Sequence, residues 1–544
     1  MSRKGWRLAS APPPPAGNGS EPDPRLNWKQ KARRAAYRYA IDPIRGRAGV
    51  RVLRLPGRTL VLAETVDALR HASRLPGGQT RRLTVVIGWW RAPSRAWSGR
   101  VASTAGLRRV RVSAPKRNRG PSWVDLTAVS QRPAAQLLAV AAPALRPDAL
   151  DRPVAGGSLP GGAVPASPVP ASPVPAGRLL VDARLVNPRG RRLDAYRADA
   201  PWLALDASGA GLAGRVLLPW RSGSRGALGW PTIAGLRGIG GVTCARPAEV
   251  DPELLVRLAM TGVIVHAPAG VPDLVAPEVR AILAEPVPAG MVAREERSVR
   301  QRRAAIRAHA IAFAAGPPSV SVVLATRRAE HISAIVAAMA AQTYPNLELV
   351  VCLHGVARSS DLERELAATG RPYQLIGAPE ELSYGAVLGL ATGRAQGTLL
   401  AKVDDDDTYG TEHIWDLVLA HHYSGATMVG KGAEFVFLED AGFTIRRWSG
   451  RPEWDDVVVA GGTILMRRAD LEALGGWRPV PRAVDKALLD RLLRAGGTIY
   501  RTHPMGYLYH RRAAGHTWDP GQEYFLQRIR GRWDGAYLPD AGPR

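Results

Sequence analysis

Cysteine is nearly absent: Cys244 and Cys352 are the only two in 544 residues. They lie far apart and lack metal-ligand spacing, so no disulfide framework is implied and a reducing compartment fits. Lysine is scarce too, standing only at positions 4, 29, 31, 116, 402, 431 and 486. The formal net charge of +27 is therefore almost all arginine. With abundant Ala, Gly and Pro it fits a GC-rich coding bias, so charge alone does not imply nucleic-acid binding, and none is expected. Anionic lipid surfaces, nucleotides or acidic polymers remain the favoured partners. No apolar run reaches the ~18 residues of a membrane helix. The nearest, Ala135 to Leu145, is short and carries Pro143. The start, Met1 to Arg7, meets the prolines of Ala11 to Pro15 without the apolar core of a secretory signal. The expectation is a cytoplasmic protein, at most peripheral at the inner face of a membrane.

What is present is ordinary globular composition, 46% hydrophobic and 22% charged, in a chain long enough for several domains. Residues 1–26 are polar and proline-rich and read as disordered. Residues 27–152 form an N-terminal α/β module without a catalytic motif. It opens on a basic, aromatic stretch, Trp28 to Tyr39, that suits either an anionic membrane surface or packing on its own domain. The Pro-Val-Pro-Ala-Ser repeats within residues 153–177 mark an extended linker. Residues 178–292 alternate strands and helices as a second small α/β module without a glycine fingerprint. A charged helix in 293–317 leads into the last domain, 318–535, and 536–544 form a tail.

The chemistry gathers in that last domain. Ser319 to Thr326 is an apolar strand, Ile332 to Met339 an apolar helix, and Leu347 to Leu353 a second strand. This βαβ spacing implies a parallel sheet, whose ligands sit beyond the carboxyl ends of the strands. One such end carries four consecutive carboxylates, Asp404 to Asp407, with Lys402 as the one opposing charge nearby in sequence. Their repulsion would be relieved by a hard divalent cation, Mn or Mg, bound through oxygen. A diphosphate sharing that cation would make the chain a transferase of activated groups.

The order of parts resembles glycosyltransferase family 2, with its GT-A nucleotide-sugar fold. The matching strings are Ala325-Thr326-Arg327, then Ala341 to Val351, Ala395-Gln396-Gly397 before the aspartates, Gly461-Gly462 through Gly475-Gly476-Trp477, and Val484-Asp485 to Arg491. The resemblance covers about residues 318–535. It implies that Asp404 and Asp406 hold the metal and nucleotide diphosphate, with Asp407 behind them and His510, or next to it in preference His516, as a further ligand. It implies that Thr326, Arg327 and Glu330 border the nucleotide, and that Arg511 meets its phosphates. Asp485 takes the place of the catalytic base, which would accept the proton of an attacking hydroxyl; Asp is also a favoured helix N-cap. Gly461, Gly462 and Trp477 fall on the acceptor side.

Departures matter as well. Where relatives commonly end the second strand in paired aspartates that help recognise the base, this chain has Leu353-His354-Gly355, so uridine is not implied as the base and His354 is the candidate for a different base contact. Val484-Asp485 stands for a frequent Glu-Asp. Gln527 to Gly531 only approaches the Gln-x-x-Arg-Trp string of processive synthases, the tryptophan being displaced to Trp533. The implied function is an inverting transfer of one sugar from a nucleotide-sugar donor to a glycan, lipid-linked or other hydroxyl acceptor, in cell-envelope glycan or glycoconjugate synthesis. The alternatives are a noncatalytic nucleotide-sugar or glycan-binding protein on the same fold, and a polyanion binder with steep salt dependence.

Overall fold

A computed structural model describes residues 50–55, 58–65, 79–89, 109–113, 122–133, 137, 179–186, 188, 191, 193–206, 209–212, 215–219, 236–495, 497–512 and 522–540. The stretch 28–39, the linker at 153–177 and His516 lie outside them. Among the described residues no helix is long and apolar enough to cross a membrane.

In the N-terminal third, the described strands make one five-stranded mixed sheet, with Gln79–Trp89 at its centre. The next sheet, also five-stranded, runs in the order Ile264–His266, Gly241–Cys244, Trp202–Asp206, Gly209–Leu212, Arg215–Pro219. Its first two strands are parallel and joined by the helix Pro252–Met260. Asp251 caps that helix, its side chain accepting from Glu253 N at 2.7 Å, with Pro252 at the first helical position. Leu179 to Asp182, strand-like in sequence, makes only an isolated bridge from Val181 to Ala310.

The large sheet has eight strands: Tyr373–Ala378, Leu347–His354, Val320–Thr326, Leu399–Val403, Leu465–Arg467, Met428–Gly430, Ile499–Arg501 and Trp454–Asp456. The first four are mutually parallel. Val320–Thr326 is buried at every residue, as a sheet covered on both faces requires. The register pairs Leu324 with Val403, so Ala325 and Thr326 overhang the aspartates next to Val403. A five-stranded sheet, Thr408–Tyr409, Tyr507–Arg511, Phe435–Leu438, Phe443–Arg447 and Ile529–Asp534, stands beside this edge.

One apolar cluster runs from Val181 through Leu255 and Val351 to Tyr507, so residues 181–310 and the last domain share a core. Between them lies the helix Met291–His309, whose Glu295, Arg297, Arg302 and Arg303 are all buried. Its charges meet partners in the last domain: Arg302 with Glu453, Arg303 with Asp416 at 2.9 Å, Glu295 with Arg446 at 2.7 Å, and Arg307 with Glu412. Composition alone would have put such a helix in water.

Candidate functional site

The parallel strands deliver Thr326 and Asp404 to one sheet edge, and hydrogen bonds then sort the four aspartates. Thr326 Oγ1 donates to Asp405. The Arg328 guanidinium spans two carboxylates, reaching Asp405 and, at 2.9 Å, Asp406 Oδ2. Asp407 turns the other way, accepting from Tyr507 Oη at 2.7 Å and from His510 N at 3.1 Å. Tyr409 Oη accepts from Asp404 N at 2.9 Å and closes the turn. Four like charges in sequence are thus split, Asp405 and Asp406 sharing Arg328 while Asp407 turns to Tyr507 and the backbone of His510.

Lys402 points along the same strand face as Asp404, as the period of two requires. Its ammonium is buried, 2.6 Å from Asp404 Oδ1 and 3.5 Å from Asp485 Oδ2. Burial opposes this charge, but Asp404, Asp485 and Tyr384 outweigh it and hold Lys402 well above the usual lysine range. Asp404 is pushed up to about 6, by burial first, with Asp485 and Asp406 raising it against the pull of Lys402. Tyr384 Oη stands 3.5 Å from Asp404 Oδ1.

Asp485 reaches this point from the first turn of the helix Val484–Arg494. It is not the cap: Ala483 occupies that position, in the left-handed region at φ 57°, and no side chain caps the helix. Asp485 Oδ1 is shielded from water and has no hydrogen-bond partner among the described residues. A buried acceptor left unpaired costs roughly 1–3 kcal/mol and needs a reason.

Gly461 and Gly462 bring backbone against both carboxylates. A Cβ on Gly461 would collide with Asp485 Oδ2, and one on Gly462 would lie 2.9 Å from Asp404 Oδ2 and 2.6 Å from Tyr409 Oη. The two glycines therefore border the Asp404–Asp485 pair itself. Trp477 is buried in the same apolar cluster as Val484 and Leu488, with its Nε1 unpaired among the described residues.

The other expected residues sit around this centre in differing surroundings. Arg327 Nε donates to His354 Nδ1 at 3.0 Å and its Nη2 to Glu380 O at 2.9 Å. His354 itself is buried, with Nε2 2.9 Å from Leu382 O, so Arg327 is the more exposed of the two. Glu330 is exposed in the first turn of the helix Ala329–Ala340. Arg511 is nearly buried, its guanidinium 5.4 Å from the Phe525 ring. His510 Nε2 is engaged by Thr408 Oγ1 at 2.7 Å, and burial holds the ring below the usual histidine range.

The residues fit a divalent cation. Lys402 and Tyr384 approach Asp404 through Oδ1 and Arg328 approaches Asp406 through Oδ2, which leaves Asp404 Oδ2 and Asp406 Oδ1 for a further ligand. Among the described residues the cationic partners of Asp404, Asp405, Asp406 and Asp485 are Lys402 and Arg328, an excess of two negative charges. Among the described residues no three His, Cys, Asp or Glu side chains form a ready metal cluster. Two carboxylates with the rest of the shell from phosphate and water is a usual way to hold Mg.

Arg328, Tyr384 and Tyr409 carried no functional expectation, and Lys402 none beyond its charge. Lys402 had a signal, a lysine in an apolar strand two residues before an aspartate. Tyr384 had none, because only the folded sheet brings its helix here.

No protein-family model and no curated protein matches the chain. Solved glycosyltransferase structures are similar to part of it. The mannosyltransferase PcManGT from Pyrobaculum calidifontis, in complex with GDP-Man and Mn2+, is 16% identical over 37% of this chain and 59% of its own, with a TM-score of 0.30. S. aureus TarS 1-349, in complex with UDP-GlcNAc, is 15% identical over 37% and 60%, with a TM-score of 0.30. GalNAc-T7, with UDP, GalNAc and Mn2+, is 12% identical over 36% and 44%, again at 0.30. The chain thus spans about three fifths of the first two.

Proposed function

We propose that residues 318–535 form a GT-A-type glycosyltransferase domain that moves one sugar from a nucleotide-sugar donor to a hydroxyl acceptor, in cell-envelope glycan or glycoconjugate synthesis. The observation that carries this reading is the joined pair: Lys402 ties Asp404 to Asp485, and Asp485 keeps one buried oxygen unpartnered.

Asp404 and Asp406 would hold Mn or Mg, which supplies positive charge to the departing diphosphate. Arg328 keeps Asp405 and Asp406 oriented. The Asp485 carboxylate accepts the proton of the acceptor hydroxyl as the hydroxyl oxygen bonds to the anomeric carbon and the bond to the diphosphate oxygen breaks. Lys402 stands 3.5 Å from Oδ2 of the same carboxylate, which leaves Oδ1 as the oxygen without a hydrogen-bond partner among the described residues. With the base opposite the leaving group the transfer inverts the anomeric centre. Gly461 and Gly462, whose backbone packs against these carboxylates, border the acceptor side, and Thr326 with Arg327 borders the nucleotide.

The test is donor hydrolysis and transfer by the full chain with Mn or Mg across UDP-, GDP- and dTDP-sugars. Asp406→Asn should abolish metal-dependent turnover. Asp485→Asn should keep donor binding and lose transfer by at least about a hundredfold. A wild-type chain that binds donor and never turns it over with any acceptor would leave a nucleotide-sugar-binding protein.

A further inference from the structure

Ten large hydrophobic side chains are exposed among the described residues, and five of them fall in two short segments: Val457 and Val458, and Tyr524, Leu526 and Ile529. These segments are neighbours in space. Arg447 pairs with Ile529 across the sheet, Trp448 N donates to Arg528 O at 3.2 Å, and the Arg530 guanidinium lies 4.6 Å from the Trp448 ring. One further guanidinium joins the two sides: Arg501 donates to Ser449 O at 2.6 Å and to Val458 O at 2.8 Å. Three residues beyond Val458 is Gly461, against Asp485. The two segments are therefore linked through the half-buried Trp448 and Ser449, with the buried Arg501 beneath them, in a strip whose Val458 end leads into Gly461.

Its composition is distinctive. Residues 524 to 530 read Tyr-Phe-Leu-Gln-Arg-Ile-Arg, apolar groups interleaved with Arg528 and Arg530 and without an acid; Glu523 and Asp534 flank this end, and at the other end the half-buried Asp455 and Asp456 precede Val457, Asp456 being paired with Arg501. Every residue from Leu526 to Arg530 is exposed. Arginines on an edge strand also discourage pairing with another sheet, but that need does not account for the exposed Tyr524 and Leu526 ahead of the strand. Arg528 holds a positive φ of 58°, a strained conformation for a side chain of its kind, kept where the chain reverses to present this tip. Arg447 lies 4.3 Å from the Tyr524 ring and supports it from below.

We propose that this strip is a docking surface for an anionic lipid bilayer. Leu526, Ile529 and Tyr524 enter the headgroup boundary while Arg528 and Arg530 meet lipid phosphates, the pairing of apolar area and basic charge that interfacial binding needs. The strip ends at Val457 and Val458, so docking brings the mouth of the site to the membrane surface, where a lipid-linked acceptor would be presented. That last consequence rests on the proposed function; the docking does not.

The experiment is co-sedimentation of the full chain with vesicles of phosphatidylcholine, alone or mixed with phosphatidylglycerol, beside donor hydrolysis without vesicles. The wild type should bind the mixed vesicles and scarcely the neutral ones. Arg528→Gln with Arg530→Gln should weaken binding about fivefold per arginine, and Leu526→Ser with Ile529→Ser about tenfold or more. All four positions are exposed, so unchanged thermal midpoints and hydrolysis are expected. No binding by the wild type overturns the proposal. So does binding that both variant pairs retain, which would assign it to basic residues elsewhere. Binding that needs the arginines alone, and that a soluble polyanion competes away, would overturn it in favour of a polyanion site. Vesicle binding without any donor turnover would sink the transferase reading and leave the docking surface standing.

Discussion

Lys402 shows how much rests on one side chain. It is buried between two carboxylates, and removing one partner of a buried ionic group leaves the others uncompensated. Lys402→Met should lower kcat by about a hundredfold or more, because Asp485 loses the anchor on Oδ2. It should also tighten Mn binding by about tenfold, since a cation 2.6 Å from Asp404 has been removed. Titration of Mn by calorimetry beside steady-state kinetics checks both, and a variant merely misfolded would lose both together. Gly462→Ala tests the close backbone approach. The added methyl meets Asp404 and Tyr409, so turnover should fall sharply while stability drops by about 1–3 kcal/mol, read from urea midpoints.

At the scale of elements, the helix Met291–His309 behaves unlike its sequence. Its polar residues face a protein interior, where Arg302 meets Glu453, and Glu453 in turn accepts from Tyr500 at 2.6 Å and Tyr423 at 3.2 Å. Arg302→Met should destabilise the protein by about 3–5 kcal/mol, because Glu453 is left charged and buried; chemical denaturation reads this directly. The helix Val484–Arg494 is entered through Ala483 at positive φ, a conformation costing roughly 1–2 kcal/mol in a non-glycine residue. That strain sits next to Asp485 and aims its first turn at Lys402. The βαβ elements around Val320–Thr326, by contrast, were plain from apolar runs and turn residues, because local pattern and tertiary burial agree there.

The whole molecule is joined by a layer of buried charge. Arg446 divides itself between Glu295 and Glu434. Burial pushes Glu434 up to about 7 despite the opposing pull of Arg446. A carboxyl raised in the folded state binds more protons there than in the unfolded chain. Its contribution is therefore full below the ordinary glutamate value and is lost as pH rises through about 7. Glu434→Gln should remove that loss, so the stability difference between variant and wild type should shift in favour of the variant from pH 5 to pH 8, measured by thermal midpoints. The same layer predicts how the chain divides. Residues 318–544 alone would expose Glu453, Asp416 and Glu412 without their arginines, so that fragment should fail to fold cooperatively, whereas 178–544 should melt as one unit.

Sequence alone determined the βαβ order, the strand that leads into Asp404 and the helix that carries Asp485 in its first turn, because each is written in neighbouring residues and local periodicity. The tertiary structure decided which partners those carboxylates take. Only packing brings Lys402, Tyr384 and Gly461 to Asp404 and Asp485, turns Asp407 toward Tyr507, and engages His510 with Thr408. It also decided that the arginine-rich helix lies inside, since the compensating Glu453, Asp416 and Glu412 stand more than a hundred residues away. Charge pairing over such separations leaves no periodic trace in a chain, and its sign and geometry exist only once the fold is formed.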